Sequence, residues 1–113
     1  MPLEKELDLQ QKIFDQVSQK FDINYALYQT GLKNIGKEHI EKSLNQYISS
    51  MKTHPGLIRG YDMCHWEDYL YIADVYEQLK QAKEKHKVHY CFHAGESLKP
   101  HNTNVIDALT LGS

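Results

Sequence analysis

The sequence predicts an α/β fold built on a parallel sheet. Three short runs rich in β-branched and aromatic residues, at 23–28, 57–63 and 88–92, alternate with longer segments of 3.6-residue apolar period. Within those runs apolar and polar residues do not alternate cleanly, the pattern of strands covered on both faces. Strands separated by helices imply right-handed crossovers and parallel pairing. A third observation limits the architecture. Three strands leave two open edges on a kind of sheet that normally hides its faces. The expectation is either a small open sandwich or a piece of a larger barrel. Residues 109–113 finish a helix where another strand would begin, which favours the piece.

The elements follow in order. Leu3, Leu7, Phe14, Val17 and Phe21 share one helical face, with Glu, Lys, Gln and Asp between them, so a helix is expected over about 3–21. Ile23–Tyr28 reads as the first strand, ended by Thr30-Gly31. Gly36 opens a second helix carried by Ile40, Leu44, Tyr47, Ile48 and Met51, and His54-Pro55-Gly56 stops it. Leu57–Met63 reads as the second strand. A third helix is expected from about Glu67 to Lys85, with Leu70, Ala73, Tyr76 or Val75, and Leu79 facing inward. Val88–Phe92 is the third strand, and Asn102 or Thr103 can cap a last helix running through Leu111.

Composition excludes several classes. A chain of 113 residues is one ordinary domain by length, and 41% hydrophobic residues suffice for a packed core. A net charge of -2 implies no strong electrostatic pull toward nucleic acid or a membrane surface. The lysines at 80, 83, 85 and 87 are interrupted by Glu84 and read as the solvated last turn of a helix, not as a binding patch. No apolar run approaches the roughly 18 residues of a membrane span, and Met1–Lys5 carries no apolar signal core. Cys64 and Cys91 are too few for a disulfide scaffold; they can pair, but two buried thiols are the favoured reading.

Seven histidines raise interest in a metal site, because imidazole is the commonest metal ligand. The segment His93-Ala94-Gly95-Glu96 follows the third strand directly. A zinc-type metal takes a neutral imidazole at about 2.0–2.1 Å and keeps a position open for water. Such a metal lowers the water's pKa to near 7, and a neighbouring carboxyl can pass a proton to substrate. Gly95 between them lets the backbone turn sharply and approach a ligand closely. The competing reading is that His93 caps the strand and Glu96 faces solvent. His65 follows the second strand at the same end and can face the same site. The remaining histidines are expected on the surface. Asp62 lies in an otherwise apolar strand, so its carboxylate must be paired or face a polar interior. Glu67 and Asp68 read as helix-start carboxylates stabilised by the dipole.

Taken together, Gly60-Tyr-Asp-Met-Cys-His-Trp-Glu-Asp68, His89-Tyr-Cys-Phe-His-Ala-Gly-Glu-Ser97 and Asn102-Thr-Asn-Val-Ile-Asp-Ala-Leu-Thr-Leu-Gly-Ser113 resemble the adenosine deaminase family. The resemblance is closest to its secreted branch, the adenosine deaminase-related growth factors. It covers roughly residues 57–113; the N-terminal half fits a preceding strand–helix unit without a diagnostic motif. It implies a partial (β/α)8 TIM barrel of the metal-dependent hydrolase type, about three βα units, here the third to fifth strands. It further implies hydrolysis of adenosine to inosine and ammonia. His93 would be a zinc ligand, and Glu96 the acid that protonates the purine ring nitrogen. His65 and Gly95 would border the nucleoside. The parent family is extracellular, and a homodimer of a full-length parent is open.

The departures are equally specific. The family's His-x-His pair, its Gly-His-Gly histidine and its paired aspartates are not in these 113 residues. His65 stands where the family has a small glycine beside the base. The expectation is therefore a fragment of a deaminase-like hydrolase, inactive alone. The alternative is a non-catalytic adenosine-binding or assembly domain derived from that barrel.

Overall fold

In a computed structural model, residues 2–113 are described. Helix α1 spans Leu3–Phe21, with Glu4 and Glu6 in its first turn and a left-handed Asp22 closing it. Strand β1 is Leu27–Leu32 and helix α2 is Lys37–Thr53. Between them Gly36, at φ +108, makes a turn that a side chain would resist. Strand β2 is Ile58–Cys64. Two 3-10 turns, Glu67–Tyr69 and Ile72–Val75, precede helix α3 at Tyr76–His86, and helix α4 is Asn104–Thr110.

β1 and β2 pair in parallel, from Leu27 opposite Ile58 to Leu32 opposite Cys64. The expected third strand is present only as one parallel bridge, Tyr61 opposite Tyr90. Tyr61 N–H donates to His89 O at 2.9 Å and Cys91 N–H to Tyr61 O at 3.1 Å. The ladder stops there because the two amides that would continue it, Met63 N–H and His93 N–H, both donate to Asp62 Oδ1. Phe92 N–H, on the side away from β2, donates to Ser113 Oγ. The spatial order is β1, β2, then the 88–92 segment, all running the same way. The result is a small α/β domain; a closed barrel is not formed by the described residues.

The core lies between this sheet, α2 and α3. Tyr47, Tyr61 and Tyr90 are fully buried, with Tyr47–Tyr61 centroids 5.6 Å apart and Tyr61–Tyr90 centroids 6.4 Å apart. Such ring pairs add about 0.5–1.5 kcal/mol beyond their burial. Each hydroxyl has a partner: Tyr61 meets Ser43 Oγ, Tyr90 donates to Leu79 O, and Tyr47 accepts from His89 N–H. Burial pushes the Tyr61 phenol up to about 12 despite the Ser43 hydrogen bond. Gly31 is required here, since a Cβ would collide with the Tyr61 hydroxyl, Ser43 and Ile40.

Several expectations are corrected. The first strand starts at Leu27, not Ile23, because pairing begins where Leu27 N–H donates to Leu57 O at 2.8 Å. The third helix starts at Tyr76, not Glu67. Asp74 caps the Tyr71 N–H at 2.9 Å, which gives Ile72–Val75 a separate start and shifts the helical phase. Ile72 and Val75 therefore point inward and Ala73 outward. Along α1 only Leu7 is fully buried; Leu3 and Phe21 are exposed, and Phe14 stacks on Tyr25. His54 is not a surface residue. It is buried between Thr53 Oγ1 at 2.8 Å and Asp8 Oδ1 at 2.7 Å, tying α1 to the end of α2. Cys64 and Cys91 are free, and Cys91 is exposed because its neighbour Tyr90 takes the inward position.

Candidate functional site

The C-terminal ends of β1, β2 and the 88–92 segment lie along one edge, where parallel sheets gather ligands. β1 leads into Lys33, β2 into His65, and the third segment into His93. Asp62, near the end of β2, is buried and occupied on both oxygens. Oδ1 accepts from Met63 N–H at 2.7 Å and His93 N–H at 3.1 Å. Oδ2 lies 2.7 Å from His93 Nδ1. Asp62 thus holds the His93 backbone by a hydrogen bond and meets its ring in an ion-pair contact. The ring is half exposed, and its Nε2 has no protein partner among the described residues. A carboxylate beside one ring nitrogen leaves the other without a partner, an arrangement shared with metal-ligating histidines.

Glu67 holds the loop after His93. It is 2% exposed. Oε1 accepts from Gly95 N–H at 2.8 Å and Asn104 Nδ2 at 2.7 Å, and Oε2 accepts from Ser97 N–H at 2.8 Å. Burial alone would raise this carboxyl. The hydrogen bonds from Asn104, Gly95 and Ser97 outweigh it and hold the pKa at about 2. Asn104 is itself fully buried and accepts from Ile72 N–H through Oδ1. Asp68 accepts from Ser97 Oγ, Tyr71 OH and Trp66 Nε1. The helix-start reading of Glu67 and Asp68 is therefore corrected: both carboxylates turn across to the 95–97 loop. Sequence reasoning missed Glu67, although Ser97 and Asn104 are the polar residues that complete it.

Gly95 sits at φ +80, and a Cβ there would meet Val105 Cγ2 at 2.8 Å, so glycine is needed for the turn. Its N–H is taken by Glu67, and the close approach is to Val105. Glu96 is exposed and lines a cavity of about 620 Å³ together with His65, Trp66, Asp68, Ser97 and Leu98. His65 and Glu96 are thus brought together, while His93 points from the adjoining end of the sheet and is not in that lining. His65 holds φ +87, in the left-handed region that favours glycine. Its ring tilts against Tyr69 at 5.5 Å. Lys33 is 1% exposed, and its Nζ has no hydrogen-bond partner among the described residues. Burial lowers its pKa, opposed by the charges of Glu67, Glu96 and Asp62.

The donor chemistry fits one metal-ligand position, His93 Nε2 backed by Asp62. Among the described residues no group of three or more His, Cys, Asp or Glu side chains is placed to hold a metal ion. No helix among them is long and apolar enough to cross a membrane. No family model matches the chain, and none of the curated proteins matches it.

Proposed function

We propose that this chain supplies part of the active centre of an adenosine deaminase-like, metal-dependent hydrolase, converting adenosine and water to inosine and ammonia, and that it is inactive alone. One observation carries the reading: Asp62 holds His93 Nδ1 at 2.7 Å at the C-terminal edge of parallel strands, three residues before Glu96. That geometry agrees with the order of the three motifs. The partial-barrel reading goes with it, supported by the parallel pairing and by the sheet edge that β1 leaves open.

In this scheme His93 Nε2 is a zinc ligand, and zinc bound there would activate water for attack on the reacting carbon. The remaining steps belong to the chain's own residues. Asp62 keeps the His93 proton on Nδ1. Glu67 fixes the loop so that Glu96 stays at the cavity. Glu96 carries the proton destined for the purine ring nitrogen, and Gly95 and His65 shape the approach of the nucleoside.

Purified chain incubated with adenosine and zinc should form no inosine; sustained inosine formation would overturn the claim of inactivity alone. The extended reading frame should encode His-x-His upstream and Gly-His-Gly downstream; a frame lacking both removes the hydrolase reading. The second reading, a non-catalytic adenosine-binding or assembly domain, is favoured by His65, an imidazole in a backbone conformation suited to glycine. It requires binding of adenosine by the extended protein without turnover.

A further inference from the structure

Trp66 stands between β2 and the first 3-10 turn, and its indole is 66% exposed. An indole left in water forgoes a large apolar burial. The ring is nevertheless fixed. Its Nε1–H donates to Asp68 Oδ2 at 3.0 Å, and Asp68 is held in turn by Tyr71 OH at 2.6 Å and Ser97 Oγ at 2.9 Å. The backbone reaches Trp66 through His65 in its left-handed conformation. Strain of that kind persists where the surroundings fix it, and it clusters at ligand sites.

Trp66 and His65 line the cavity of about 620 Å³ with Glu96, Leu98 and Lys99 of the following loop. Small-molecule sites span roughly 300–1,000 Å³ and combine apolar walls with a few polar groups. An indole and the exposed Leu98 side chain supply the walls for a flat ring, and the Glu96 carboxyl supplies a partner for ring nitrogens.

We propose that Trp66 is the stacking wall for the base of a purine nucleoside in this cavity and sets a preference for bicyclic over monocyclic bases. The choice of purine rests on the deaminase-like reading; stacking itself needs neither metal nor turnover. Larger rings overlap an indole more fully, and base–aromatic stacking tolerates any base with a π-face.

Trp66 is the only tryptophan in the chain, so its fluorescence reports this wall alone. Titration of the 113-residue chain with adenosine and purine riboside, excited where neither absorbs, should quench the emission saturably. Uridine should bind about tenfold more weakly. By equilibrium dialysis, Trp66→Phe should keep most of the affinity, and Trp66→Ala should lose roughly tenfold or more, with circular dichroism unchanged. Absence of saturable quenching by either purine nucleoside overturns the proposal. So does equal affinity for adenosine in folded Trp66→Ala and wild type. Purine binding at Trp66 by an extended protein that never deaminates adenosine would remove the hydrolase reading and leave this one. Deamination with an unchanged KM in Trp66→Ala would do the reverse.

Discussion

Two carboxylates organise the candidate site, and they do it in different ways. Asp62 acts on a ring as well as on backbone: besides the Met63 and His93 N–H groups it meets His93 Nδ1 at 2.7 Å. Nitrogen NMR of the imidazole should therefore show the proton on Nδ1 when the ring is neutral. In Asp62→Ala the ring should lose that preference, and an unchanged tautomer would show that Asp62 does not set it. Glu67 acts on backbone, accepting from Gly95 and Ser97. Its folded pKa is depressed from 4.5 to about 2. The stabilisation is therefore full above the unfolded pKa and is lost as pH falls from about 4.5 toward 2. Its size is on the order of 3 kcal/mol. Glu67→Gln should destabilise the fold by roughly 1–3 kcal/mol at neutral pH and flatten its acid dependence below pH 5. Denaturant midpoints across pH measure this, and a variant with the wild-type acid profile would refute it. Asp62 was legible in the sequence as a buried acid needing a partner, because a charge in an apolar strand cannot stand alone. Glu67 was not. In one dimension it sits beside Asp68 like any helix-start acid, and its partners at 95, 97 and 104 come only from tertiary folding.

The elements divide along the same line. α1, α2 and β2 were readable because local pattern and local partner agree. Apolar spacing fixes α2, and Gly36 and His54 bound it. The 88–92 run has the composition of a strand, yet it makes one bridge, since Asp62 captures the Met63 and His93 amides that would extend the pairing. The 67–75 stretch has helical composition but follows the needs of Asp74 and Glu67. α1 is the weakest attachment, with Leu7 buried and the Asp8–His54 contact at its base. Hydrogen exchange should rank β2 and α2 as slowest and α1 as fastest among the long elements. Asp8→Ala should speed exchange in α1 without changing β2. Protection of α1 equal to that of β2 would contradict this division.

At the scale of the molecule, the chain is longer than it is compact. Its radius of gyration is 15.3 Å and its extents are 49 × 26 × 25 Å, whereas a compact domain of similar length has a radius near 13 Å. Ile106 and Leu109 on α4, with Ile35 beyond β1, are exposed. Exposed apolar side chains at these separate places accord with the partial barrel proposed above, in which further units would cover them. The isolated chain should therefore self-associate, with a sedimentation coefficient that rises with concentration; a strictly monomeric species over the whole range would count against the partial barrel. The parallel α/β class was legible from the order of strand and helix patterns. Barrel closure is legible in neither the sequence nor the structure, because the described residues pair only two strands and one bridge.

The central claim is that His93, held by Asp62, and Glu96 belong to a deaminating centre. It is tested most directly by steady-state deamination of adenosine, with zinc present, by the protein translated from the extended reading frame, wild type against Glu96→Gln. The account predicts inosine from the wild type and a kcat lowered about 10²–10⁴-fold in a folded Glu96→Gln. Equal rates in the two proteins, or no inosine from a folded wild type that carries His-x-His and Gly-His-Gly, would contradict it.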